Sequence, residues 1–267
     1  MTGLFGFSSS CAEASPLKPL RWLFNGPGVA AMAADAEASR LLDNTQPFVM
    51  WGRALDGVPQ SWNAVHALSC KSFSDIRIAL ESGSIGPEVK GIMYDYEKWR
   101  FTPEDEQRNP GAYLKKAADL AHLKGYLFLT APAVNLVTVM APGVDRNRLY
   151  ETYLQLGIAA DAARYADVVD IQAQRYERDT EIYASFVRQA AAQARQANPK
   201  VLVLAGVSTE PIGQQATADD ILNAIAATRD VVDGYWFNIP QPSDYSPAAK
   251  EFRPDIAVEV LRRLSAH

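Results

Sequence analysis

Lys90-Gly91-Ile92-Met93-Tyr94-Asp95-Tyr96-Glu97 begins as an apolar strand and ends in two carboxylates. Side chains two apart on a strand share a face. Asp95 and Glu97 are therefore expected on the side of Met93, with Tyr94 and Tyr96 on the other. Carboxylates at the end of a buried strand are costly unless a partner or a reaction requires them. Two neighbouring acids push each other's proton affinities apart. One can then stay protonated near neutrality while the other stays ionised. Cleavage of a glycosidic bond needs that division: one acid donates to the leaving oxygen, and the other steadies the charge that develops. Glu97, further out, is the expected proton donor and Asp95 its partner. The structural alternative is that Arg53, Lys71 or Arg175 holds both acids as ions.

The elements that would position this pair can be read along the chain. Apolar runs at 21–26, 47–53, 65–70, 126–130, 168–174, 201–207 and 235–239 join the acid-bearing strand as expected strands. Helical spacing, caps and stop signals place helices near 30–43, 72–81, 112–124, 146–165, 180–197, 217–229 and 254–264, with a loop over 100–110. Thr102 and Pro103 in that loop have the pattern of a helix start. Strand and helix alternate about eight times, and the strands lack strict polar alternation, which suits burial on both faces. The expected fold is a single (β/α)8 TIM barrel over residues 20–267, preceded by an extended or disordered tail at 1–19. A doubly wound open sheet is the alternative, but Asn25-Gly26-Pro27-Gly28 lacks the glycine spacing of its phosphate-binding turn.

Barrel active sites lie at the C-terminal ends of the strands. There the sequence offers Asn25, Trp51 and Arg53, Ser69 and Lys71, Asp95 and Glu97, Gln172 and Gln174 with Arg175, and Trp236 and Asn238. Indoles among amides suit a neutral, hydroxyl-rich ligand such as a sugar. Lys71 is also a candidate imine-forming lysine, though an ion-paired role is the simpler expectation.

Composition limits the alternatives. Of 267 residues, 48% are hydrophobic and 21% charged, enough to bury a core, and the net charge of -5 with no basic run argues against a nucleic-acid partner. No apolar run approaches the roughly 20 residues of a membrane span. The N-terminal residues lack the basic start and long apolar stretch of a leader. The sequence does not fix the location: cytoplasmic, or secreted with the signal segment absent from this chain, both fit. Three histidines and two cysteines make a zinc site improbable, so no metal and no cofactor is expected. A Mg²⁺ between Asp95 and Glu97 is the minor alternative. Cys11 and Cys70 define no disulfide framework, and whether they pair is open. Oligomeric state is not legible.

The order of strand ends resembles the family-18 glycoside hydrolases, the chitinase-like barrels. Their fourth strand reads Asp-Gly-x-Asp-x-Asp-x-Glu, and its last Asp and its Glu fall on Asp95 and Glu97. Ser69-Cys70-Lys71-Ser72 stands at their third-strand Ser-x-Gly-Gly, and Thr130-Ala131-Pro132-Ala133 at their fifth-strand Ala-x-Pro. Gln172 and Gln174 stand where the family has Met or Gln and then Tyr, and Trp236 where it has a Trp under the sugar. Lys90 and Met93 replace its two earlier aspartates. The resemblance implies a carbohydrate hydrolase with Glu97 as acid and Asp95 as substrate-amide partner. Two other readings stay open. One is a barrel lyase, aldolase or cyclase acting on a small metabolite. The other is a barrel that binds sugar without cleaving it.

Overall fold

The computed structural model describes residues 19–51 and 57–265. Its strands are β1 Arg21–Asn25, β2 Phe48–Trp51, β3 Val65–Cys70, β4 Val89–Tyr94, β5 Leu127–Thr130, β6 Val168–Ile171, β7 Leu202–Ser208 and β8 Gly234–Asn238. They pair in sequence order, all parallel, and β8 closes on β1. The chain forms a single (β/α)8 TIM barrel. The strands fall within a few residues of their expected places. β4 and β6 stop short, so Asp95, Glu97, Gln172 and Gln174 lie just beyond the ladder, on the rim.

The two-residue period builds two separate cores. Leu23, Phe48, Met50, Ala67, Met93, Leu129, Val168, Leu204 and Trp236 fill the barrel interior. Trp22, Ile92, Tyr94 and Tyr96 face outward into the layer between strands and helices. That layer is closed by helices whose apolar residues recur at helical spacing. Thr180–Ala197 buries Tyr183, Phe186, Val187, Ala190, Ala191 and Ala194, and the Tyr183 hydroxyl donates to Gly206 O of β7 at 3.1 Å. Ser72 and Asp179 cap their helices through side-chain oxygens, and Thr217 with Asp220 forms a reciprocal capping box.

Three expectations are corrected. The stretch expected as one helix over 146–165 is broken into Arg146–Arg148, Leu149–Gln155 and Ile158–Ala163. Gly157 breaks it by adopting φ +65°. The helix expected at 30–43 begins at Gly26 and is interrupted at Asp35, whose carboxylate caps Ala36–Leu42. The expected loop contains a short helix, Glu104–Arg108, with Pro103 at its cap position. Thr102 does not cap it. Its hydroxyl instead donates to Lys71 O at 2.7 Å and accepts from Glu97 N at 3.2 Å.

The seam that closes the barrel pairs Arg21 with Gly234. A Cβ on Gly234 would lie 1.7 Å from Arg21 O, inside rigid backbone. Gly234→Ala is therefore expected to destabilise the protein by about 3 kcal/mol. The measurement is the urea midpoint, and an unchanged midpoint would mean that the seam is looser than described.

Candidate active site at the barrel rim

Strand alternation carries the site residues inward. Ser69 and Lys71 continue the inward series of Ala67, and Asp95 that of Met93. Asp170 and Gln172 continue the series of Val168, and Asn238 that of Trp236. Asp95 N donates to Cys70 O at 2.9 Å, which extends the β3–β4 ladder by one residue. The Asp95 side chain is buried. Its Oδ2 meets Lys71 Nζ at 2.5 Å, and Lys71 Nζ also donates to Ser69 Oγ at 2.9 Å. Gln172 Nε2 donates to Ala131 O at 3.0 Å and approaches Asp95 Oδ1 at 3.4 Å. The Lys71 ammonium lies 5.4 Å from the Trp99 ring centroid, close enough for a cation–π contact.

Glu97 is held differently. Its Oε2 accepts from Asn135 Nδ2 at 3.1 Å, and no cation pairs with it among the described residues. Burial pushes its carboxyl up to about 7, and the negative charge of Asp95 adds to the rise. The Lys71 ammonium and hydrogen bonds from Asn135 and Gln172 pull in the opposite direction. One acid of the pair is thus ion-paired, and the other keeps its proton to near neutrality.

Space adjoins both. A cavity of about 510 Å³ is lined by Met50, Ser69, Lys71, Asp95, Trp99 and Trp236. A second, of about 240 Å³, is lined by Asn135, Gln172, Gln174, Arg175 and Ser208. Glu97, Asn238, Tyr245 and Ser246 line both, so Glu97 stands on their common wall. Part of that wall comes from the loop after β8. Tyr245 stacks on Phe101 with ring centroids 4.6 Å apart, and Asp244 accepts from Arg100 at 2.6 Å. Near the far end of the loop, Glu210 accepts from Lys250 N and Glu251 N. The loop thereby reaches from β8 across to the loop after β4.

Most of the residues expected from sequence come together here. Asn25 lines the larger cavity, but its amide also exchanges hydrogen bonds with the backbone of Ile239 at 3.2 and 3.4 Å, joining β1 to the end of β8. Trp236 lies mostly inside the barrel, with its Nε1 unpartnered. The Trp51 side chain, Arg53 and Cys11 lie outside the described residues. Cys70 is a free, buried thiol, pushed up to about 12 mainly by burial. Among the described residues no three His, Cys, Asp or Glu side chains gather as a metal site, and no helix is long and apolar enough to cross a membrane.

Asp170 was missed by the sequence reading, although the alternation that turns Gln172 inward also turns Asp170 inward. It is 1% exposed, and neither carboxyl oxygen has a hydrogen-bond partner. Desolvation, with the charge of Asp95, raises it well above the usual carboxylate range. Gly206 opposite makes room. A Cβ there would lie 2.4 Å from Gln174 Oε1 and 3.5 Å from Asp170 Oδ2. Asn135 and Tyr245 were also missed, and Thr102 was expected only at a helix start. They come from loops and carry no periodic signal.

No family model matches the sequence, and no curated protein matches it. Solved structures similar to the fold include the spore cortex-lytic enzyme SleL of Bacillus megaterium QM B1551, 12% identical with TM-score 0.41 over 73% of this chain and 52% of that one. This chain thus spans about half the length of SleL. A candidate α-L-fucosidase of Bacteroides thetaiotaomicron VPI-5482 is 10% identical, with TM-score 0.49, over 97% of this chain and 99% of that one. Triosephosphate isomerase of Bartonella henselae is 10% identical, with TM-score 0.47, over 82% and 92%. Likenesses at this level carry no argument about activity.

Asp170 generates a pH prediction. In the folded protein it keeps a proton that the unfolded chain releases above about pH 4. Stability from this group is therefore full below that pH and is lost as pH rises toward the folded value. Asp170→Asn, which cannot ionise, is expected to be more stable than wild type at pH 8 and to lose that advantage at pH 4. Urea unfolding at the two pH values measures it, and equal differences at both would show that Asp170 is charged when folded.

Proposed function

We propose that the protein is a glycoside hydrolase-like barrel enzyme, with Glu97 as general acid and Asp95 as its ionised partner. The observation that carries this reading is Glu97 itself. Its proton is retained to about pH 7 by burial and by Asp95, and it stands on the wall between two cavities. A glycan laid across that wall would place one sugar on each side and a glycosidic oxygen near Glu97. Protonation of that oxygen needs an acid matched to the working pH. Asp95 would steady the positive charge that develops as the bond to the protonated oxygen breaks, and a water molecule would form the new bond to the sugar carbon and lose its proton. Trp236, Trp99 and Tyr245 offer aromatic surface for sugar faces, and Gln172, Gln174 and Asn238 offer amides for hydroxyls. Their presence supports carbohydrate as the substrate.

The same cavity holds Lys71, which an imine-forming aldolase or lyase would use as nucleophile. An ammonium 2.5 Å from a carboxylate is a poor nucleophile. That contact favours acid–base work at Glu97 over imine chemistry.

Glu97→Gln is expected to lower kcat by at least about 100-fold on any polysaccharide the wild type cleaves, with KM little changed and the circular dichroism spectrum intact. Since the working form of Glu97 is protonated, wild-type activity should fall as pH rises through about 7. Asp95→Asn removes the neighbouring charge that supports that proton, so the alkaline limb should move to lower pH. Full turnover by Glu97→Gln on a glycan cleaved by wild type would remove the proposal.

A further inference from the structure

Arg175 has no role in the acid pair, and its guanidinium has no hydrogen bond or ion pair among the described residues. It is half-buried, on the short helical turn Gln174–Tyr176 that follows β6, and it lines the smaller cavity beside Glu97. Glu97 and Glu210 line the same cavity, and neither forms an ion pair with Arg175. Glu210 takes the backbone N–H groups of Lys250 at 2.9 Å and Glu251 at 3.1 Å, and Glu97 is bonded to Asn135. Glu177, just behind, is fully buried and bonded to Ser208 N at 2.7 Å.

The neighbouring groups add donors. Gln174 lies with its Oε1 buried against Gly206, which leaves its Nε2 as the atom to face the cavity. Ser208 Oγ accepts from Glu210 N at 3.1 Å and keeps its own hydroxyl hydrogen to donate. A planar guanidinium flanked by an amide N–H and a hydroxyl matches the two oxygens of a carboxylate.

We propose that the cavity on the β6–β7 side of Glu97 is a subsite for an acidic sugar, a hexuronic acid whose carboxylate is received by Arg175 with Gln174 and Ser208. This rests on the reading of the site as carbohydrate-binding and adds its charge selectivity. The chain as a whole is acidic, with net charge -5, so an acidic glycan would be drawn to this point by a local group and not by the general surface field.

The test is binding, independent of turnover. Di- and trisaccharides of glucuronate, galacturonate and mannuronate, each beside its methyl ester, are titrated calorimetrically into wild type, Arg175→Gln and Arg175→Lys. At least one acid should bind wild type about tenfold tighter than its ester, as a charge-assisted contact at a partly exposed site allows. Arg175→Gln should bring acid and ester to parity, and Arg175→Lys should restore only part of the difference because the fork is lost. An unchanged melting temperature in both variants shows that the fold is kept. Acid and ester binding alike in wild type, or a preference that survives in Arg175→Gln, overturns the acidic subsite and leaves the carbohydrate reading standing. Binding of no sugar in either form overturns both.

Discussion

Lys71 Nζ and Asp95 Oδ2 meet at 2.5 Å inside the barrel mouth, and the electrostatics of the site follow from that contact. A carboxylate so buried needs a partner to remain ionised. Lys71 supplies one, and Ser69 and the face of Trp99 hold the ammonium in place. The retained charge of Asp95 then acts on its neighbours. Burial raises the proton affinity of Glu97 and of Asp170, and the charge of Asp95 adds to both shifts. Breaking the ion pair would alter the proton affinity of the outer acid without touching that acid directly.

The packing beneath is what allows this arrangement. Large side chains fill the lower interior, where Phe48, Met93, Leu129 and Leu204 exclude water. Toward the rim the inward residues turn polar, and Gly206 leaves an opening that Gln174 and Asp170 occupy. On the outer face of β4, the Tyr94 and Tyr96 rings pack against each other, tilted by 32° with centroids 4.7 Å apart, and the Tyr94 hydroxyl is bonded to Glu106 of the following short helix. The strand that delivers the acids is thus fixed from behind by aromatic packing. Thr102 then ties the backbone of Glu97 to that of Lys71, which fixes the acid and the base-bearing loop against each other.

The cavities belong to loops more than to strands. The segment after β8 is held at one end by Glu210 and at the other by Tyr245 on Phe101 and Asp244 on Arg100. Its Tyr245 and Ser246 line both cavities, as Glu97 does.

Local periodicity in the sequence determined much of this protein. Apolar runs and turn residues place all eight strands and their order, and the two-residue period turns Asp95 and Glu97 inward while Tyr94 and Tyr96 face the helices. The same period pointed to Asp170, whose inward position was as legible as that of Gln172 beside it. The breaks at Asp35 and Gly157 were less legible, since a single residue with altered backbone interrupts a helix without disturbing its apolar spacing. Only the tertiary structure decided which groups meet. Lys71 and Asp95 are 24 residues apart, Asn135 and Glu97 are 38 apart, and Gln172 and Asp95 are 77 apart. Periodicity reports which way a side chain faces along its own element. The proton affinity of an acid depends on charges and donors brought from other strands, and barrel closure alone sets those distances.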